Sequence, residues 1–189
     1  MSRLSVVDEL AARISALPLP ARIGVDGVDA AGKTTLADEL AGRLPEAARL
    51  SADDFLRPPA ERYRQGRESP MGYYEDSFDH VALRAAVLAA QGIVIVDGIF
   101  LFRPELDDLW TFRIFVHVEL EESIRRGVER DGAAKEELYR RRYGARPAAL
   151  PRCGPAGRAG RRDPRQLRPR RAQTQPRRGG PPILTNGKM

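Results

Sequence analysis

Gly27-Val28-Asp29-Ala30-Ala31-Gly32-Lys33-Thr34 fits G-x-x-x-x-G-K-[ST], the Walker A phosphate loop, with no position out of place. Each residue type answers a need of a bound polyphosphate. Glycines let consecutive backbone N–H groups turn inward around the anion, and the N-terminus of the following helix adds its partial positive charge. A lysine reaches the β and γ phosphates, and a hydroxyl meets Mg²⁺. Gly27, Asp29, Ala30, Ala31, Gly32, Lys33, Thr34 and Thr35 are therefore the expected contacts to ATP, with Lys33 also serving catalysis. The chain has three lysines, and one of them stands where the motif requires it.

Acidic residues at two strand ends complete a candidate reaction centre. Asp97 directly follows the apolar run Ile93-Val94-Ile95-Val96, the Walker B arrangement, in which a buried strand delivers a carboxylate beside the phosphate loop. Thr34 and Asp97 are the expected pair for Mg²⁺; the alternative is an acid that only caps a loop. Asp53 and Asp54 end a second short strand, on the side of the sheet where α/β proteins gather ligands. A carboxylate there can take the proton of an attacking hydroxyl, worth about 10² to 10⁴ in rate. Asp53 is the expected base and Asp54 an acceptor contact; otherwise both are turn residues, Asp54 capping.

These residues need elements to hold them. Val7, Leu10, Ile14 and Leu17 recur at helical spacing before Pro18 and Pro20, which cannot continue a helix. Arg22–Asp26 reads as a strand entering the glycine turn, and Lys33–Leu44 as a helix with Leu36, Leu40 and Leu44 on one face. Ala48–Ser51 is a second strand, followed by a polar surface excursion to Ser77. Asp79 is the expected N-cap of a helix carrying Val81, Val87 and Leu88. Ile93–Val96 suits a strand buried on both faces. Phe112–Val118 is a fourth strand, and Leu120–Arg130 a helix with Ile124 and Val128 inward. Strand and helix alternate, so the fold class is α/β: a three-layer P-loop NTPase with a parallel sheet between helices.

Composition divides the chain. The net charge of +6 comes from residues 144–189, which carry twelve basic side chains against Asp163 alone, whereas residues 1–143 are net −5. All twelve aromatics precede Gly144, and eight prolines in 144–189 oppose regular structure, so that segment is expected to be a disordered tail. Arg, Pro, Ala and Gly share GC-rich codons, which suggests a frameshift close to Tyr143; the kinase domain is then 1–143, incomplete at its C-terminus. Retranslating the coding DNA in the other two frames tests this. The single cysteine, Cys153, cannot form an intrachain disulfide, and Asp8 and Glu9 break the early apolar residues, so a cytoplasmic setting is expected. No apolar run approaches the roughly 20 residues of a membrane helix, and no membrane partner is expected.

Gly27–Thr34, Ser51-Ala52-Asp53-Asp54-Phe55, Arg57-Pro58 through Tyr63, Arg64, Gly66, Arg67, Ser69-Pro70, Gly72-Tyr73-Tyr74, Asp76–Asp79 and Val96-Asp97-Gly98-Ile99-Phe100-Leu101 together resemble the uridine kinase family of P-loop small-molecule kinases, particularly its actinobacterial-type members. The resemblance covers roughly residues 20–143. It implies ATP-dependent phosphorylation of a nucleoside 5′-hydroxyl, with Asp53 at the catalytic carboxylate. It also implies a lid helix carrying Arg126 and Arg130, where cations can neutralise charge developing in transfer; equally, these arginines can form a solvated face. Arg67, Tyr73 and Tyr74 are the other expected acceptor contacts, although Tyr73, Tyr74 and Phe78 can instead pack the excursion onto the sheet. His80 and His117 fall in no motif and are read as structural. Only about a dozen residues separate Asp79 from the Walker B strand, where the family carries an extended segment.

The leading expectation is thus a phosphotransferase using ATP and Mg²⁺ on a small-molecule hydroxyl, a nucleoside such as uridine. The alternatives are a P-loop kinase for a sugar phosphate or a pantothenate-like alcohol, and a nucleotide-binding protein without turnover whose basic tail contacts nucleic acid. No aromatic interleaves the tail arginines, so no specific nucleic-acid partner is expected.

Overall fold

The computed structural model describes residues 3–144, with side chains to residue 141. Of the tail expected over 144–189, Gly144 ends the last described helix; the rest, and the suggested frameshift, lie outside the described residues. The elements in chain order are α1 (Arg3–Ser15), β1 (Ala21–Gly27), α2 (Lys33–Arg43), β2 (Ala48–Ser51), α3 (Pro59–Arg62), α4 (Pro70–Asp76), α5 (His80–Ala89), β3 (Ile93–Asp97), β4 (Phe112–Val116), α6 (Leu120–Asp131) and α7 (Glu136–Gly144). Short 3₁₀ turns cover Ala52–Phe55, Pro104–Leu109 and Ala133–Lys135.

The four strands form one parallel sheet in the order β2-β3-β1-β4. Consecutive parallel strands demand crossovers: α2 lies in that from β1 to β2, α5 in that from β2 to β3, and the 3₁₀ turn Pro104–Leu109 in that from β3 to β4. Strand alternation sorts the side chains into two cores. Ile23, Val25 and Ile95 point to one face and are covered by Val7, Ala11 and Ile14 of α1 with Ala37 and Leu40 of α2. Val94 and Val96 point to the other, against Phe78, Leu83, Val87, Leu101, Leu106 and Trp110. The three layers expected from the sequence are therefore present.

Details depart from the expected elements where tertiary contacts decide. β4 ends at Val116, two residues early. In α5 the inward residues are Leu83 and Val87, whereas Val81 is 78% exposed and Leu88 also faces solvent. Asp79 caps α5 as expected, accepting from the N–H groups of Val81 and Ala82 at 3.0 and 2.9 Å. In α6 Ile124 is buried and Val128 only half-buried; Ser123 and Gly127 complete the inward stripe. The polar excursion folds into α3 and α4, tied by Asp76, which accepts from Gln65 Nε2 at 2.7 Å and pairs with Arg64 Nη2 at 2.7 Å. No described helix is long and apolar enough to cross a membrane.

Candidate active site

The sheet's carboxyl edge gathers the site, because Gly27, Ser51, Asp97 and Val116 end their strands there. In an open α/β sheet this edge, where the order reverses around a central strand, is where ligands sit. Here β1 is that strand, flanked by β3 and β4. Its exit requires glycine: Gly27 has φ +153°, and a Cβ there would stand 2.3 Å from the carbonyl oxygen of Val116. Gly32, at φ 90°, turns the chain into α2 without a side-chain cap, which leaves the helix N-terminus open to an anion.

Within the loop, Lys33 is buried and curls back to donate from Nζ to the Val28 carbonyl at 2.7 Å. Burial lowers its pKa, and Asp29, Asp26 and Asp97 oppose that by favouring the cation. Thr34 and Thr35 lie exposed in the first turn of α2. Thr34 Oγ1 donates to Asp97 Oδ2 at 2.5 Å, joining the phosphate loop to the end of β3. Asp97 is 2% exposed. Its Oδ1 accepts no hydrogen bond, although Arg49 Nη1 lies 2.8 Å away as a charge neighbour at an angle unsuited to one. A threonine hydroxyl beside a buried carboxylate with an unused oxygen lone pair is a hard, all-oxygen donor set of the kind Mg²⁺ takes alongside phosphate and water. The pair therefore fits that ion.

Asp53 stands on the turn Ala52–Phe55, where Ser51 Oγ accepts weakly from the Asp53 N–H at 3.4 Å. Gly98 sets the distance between this turn and β3, since a Cβ on it would come within 2.4 Å of the Ala52 Cβ. Part of Asp53 reaches solvent, but partial desolvation, with Asp29 and Asp97 adding repulsion, raises its pKa above the ordinary carboxylate value; Lys33 opposes the shift. Asp54 is exposed beside it.

Tyr73 and Tyr74 meet the site from α4. Tyr73 donates from its hydroxyl to Asp29 Oδ2 at 2.5 Å. Both rings stand edge-on to Phe100, at 5.4 and 5.0 Å between centroids. Phe100 has φ 61°, in the left-handed region where a bulky residue needs surrounding contacts to hold it. Phe78 belongs to the core, being 2% exposed. Arg67 is exposed, its guanidinium 5.4 Å from the Tyr63 ring centroid. It lines a groove of about 690 Å³ with Gln65, Glu68, Ser69, Lys135 and Leu138, to which no phosphate-loop residue contributes. Arg126 pairs with Glu122 at 2.6 Å, and Arg130 with Asp131 at 2.7 Å. Both arginines are engaged on their own helix.

Three residues of the site carry no motif. Asp26 is 1% exposed, and its carboxylate accepts from the N–H groups of Gly27 at 2.6 Å and Phe102 at 2.9 Å. Burial raises its pKa, with those N–H bonds and Lys33 opposing. A lone acid between Val25 and Gly27 in an apolar strand is the signal that could have found it. Arg103 is 6% exposed and donates to the Tyr74 carbonyl at 2.9 Å, with its guanidinium 4.4 Å from the Tyr74 ring centroid. It also touches His80 Nε2 at 2.8 Å and Glu105 at 2.9 Å. Desolvation and the Arg103 charge lower the His80 pKa to about 4, so the ring is neutral and accepts from Arg103. The third, Ser123, donates to the Asp29 carbonyl at 2.7 Å. His117 is exposed, 3.4 Å from Glu119.

Comparison with known proteins sets this geometry in context. No family model matches the chain. The chain is 34% identical over 123 residues to nicotinamide riboside kinase 1 of Rattus norvegicus, a match covering 55% of this chain and 63% of the relative. The Homo sapiens protein of the same name is 30% identical over 123 residues, 62% of its length. The chain thus spans less than two thirds of the curated relatives it matches. Among solved structures, that of a possible uridine kinase from Bacillus stearothermophilus superposes with a TM-score of 0.57 and 22% identity, covering 74% of this chain and 92% of that one. The parallel sheet between helices and this superposition establish the chain's architecture as a three-layer α/β fold, with the Walker A loop at the end of its first strand.

Proposed function

We propose that this protein transfers the γ-phosphoryl group of ATP to a hydroxyl of a small nucleoside, most naturally a 5′-hydroxyl. The observation that carries the reading is the joining of Thr34 to Asp97 at the lip of the phosphate loop, with Asp53 close enough to feel the charges of Asp97, Asp29 and Lys33. In this reading the loop N–H groups and Lys33 bind the β and γ phosphates. Thr34 and Asp97 hold Mg²⁺, which when bound neutralises charge on those phosphates. Asp53 accepts the proton of the acceptor hydroxyl as its oxygen forms a bond to the γ-phosphorus, and the bond to the ADP oxygen breaks. Arg126 and Arg130 would exchange their carboxylate partners for phosphate oxygens when the loop is filled.

Two acceptors lead. Sequence similarity to nicotinamide riboside kinases supports nicotinamide riboside, and the uridine kinase-like motifs support uridine. The test is an ATP·Mg²⁺ assay across a panel of ribonucleosides, sugar phosphates and pantothenate-like alcohols. Phosphorylation of a ribonucleoside is expected. A folded protein that binds ATP yet phosphorylates none of them overturns the catalytic reading, and one that acts only on another alcohol moves it to a different kinase class.

A further inference from the structure

Asp29, in the phosphate loop, is held from two sides by elements far apart in sequence. Ser123 Oγ donates to its backbone carbonyl at 2.7 Å across 94 residues. Tyr73 OH donates to its carboxylate at 2.5 Å across 44 residues. The next residue, Ala30, has φ 53°, so this turn sits in the left-handed region without a glycine and needs outside contacts to keep it there.

Ser123 has no other task that explains its placement. It is 2% exposed in the first turn of α6, and its N–H is already used by the Glu119 carbonyl at 2.9 Å. An alanine would satisfy the packing, whereas the hydroxyl supplies a directed bond to the loop. The same helix face is closed around it: Ile124 is buried, and Gly127 lets the Tyr139 ring approach so closely that a Cβ would meet it at 3.0 Å. Arg126 and Arg130 follow about one and two turns along the same helix.

We propose that Ser123 is a positioning residue: its hydroxyl on the Asp29 carbonyl locks the first turn of α6 to the phosphate loop, so that filling the loop with polyphosphate and placing the helix of Arg126 and Arg130 are one event. This rests on the reading of the loop as a nucleotide site. It adds a residue that acts through the loop and touches no reacting atom.

The test uses the full chain with Ser123→Ala and Ser123→Thr, measuring Mg·ADP affinity by calorimetry and melting temperature in parallel. Removing the hydroxyl leaves a partly buried carbonyl without this partner, so Ser123→Ala should bind Mg·ADP roughly fivefold more weakly. Ser123→Thr, which keeps the hydroxyl, should recover most of that loss. Wild-type affinity in a folded Ser123→Ala protein overturns the proposal, as does equal weakening by both variants. Should Ser123→Ala not fold, hydrogen exchange on the wild-type protein decides. Mg·ADP should slow exchange in residues 28–34 and 123–130 together, and slowing confined to the loop overturns the coupling. A wild-type protein that binds no Mg·ADP overturns the nucleotide reading itself, a distinct result that removes the basis of this one.

Discussion

Asp53 is suited to take a proton because its surroundings raise its pKa above that of a free carboxylate, through partial desolvation and the repulsion of Asp29 and Asp97. A base must be ionised to act, so the rate should fall as pH drops through this raised value. The acid limb of a kcat profile is therefore expected at a higher pH than a free aspartate would give. Asp53→Asn should lower kcat by about 10² to 10⁴ without abolishing ATP binding, measured by steady-state kinetics beside calorimetry. Asp97→Asn has a different expected signature. It keeps a partner for Thr34 but removes the charge facing the metal, so the Mg²⁺ concentration needed for half-maximal nucleotide binding should rise. An unchanged requirement would remove Asp97 from the metal role. The acidic residues at 53 and 97 were legible because each follows a short strand, Asp97 directly after the apolar run Ile93–Val96. Asp26 was not, because what it does is accept the Phe102 N–H from a loop 76 residues away.

Elements bring these side chains together through close backbone approach. Gly98 lets the exit of β3 lie against the turn that carries Asp53, and a methyl there would come within 2.4 Å of the Ala52 Cβ, which is fixed to backbone. Gly98→Ala should therefore cost about 1–3 kcal/mol in urea unfolding and move Asp53 away from Asp97, lowering kcat more than nucleotide affinity. Neutral stability with full activity would show that the turn has slack. The four strands and α1, α2, α5 and α6 could be read from periodicity, since Val7, Ile14 and Leu40 mark helix faces and Ile93–Val96 a doubly covered strand, whereas α3, α4 and α7 could not. What periodicity could not decide is which residues of α5 point inward. Spacing marked Val81, Val87 and Leu88; the position of the β3 face kept Val87 inward, added Leu83 and left Val81 and Leu88 toward solvent.

For the molecule as a whole, the cluster of Arg103, His80, Glu105 and Tyr74 ties α4 and α5 to the turn Pro104–Leu109. Its pH dependence has a definite sign. His80 titrates at about 4 in the folded protein against an ordinary value of 6.5, so the unfolded chain takes the proton first. Stability from this site is fully present above pH 6.5 and is lost as pH falls from 6.5 toward 4. The melting temperature should decline over that window, and His80→Gln should flatten the decline; an identical slope in the variant would remove His80 as its cause.

The sequence by itself determined the chemistry on offer and the order of the layers. A phosphate loop needs glycines, a lysine and a hydroxyl at fixed spacing along one strand–turn–helix unit, and such local requirements are written in consecutive residues. Tertiary structure alone decided the connections. Ser123 to Asp29, Tyr73 to Asp29 and Arg103 to Tyr74 join residues 29 to 94 positions apart. Such contacts have no local pattern, because a hydrogen bond between distant segments depends on where the sheet places their ends.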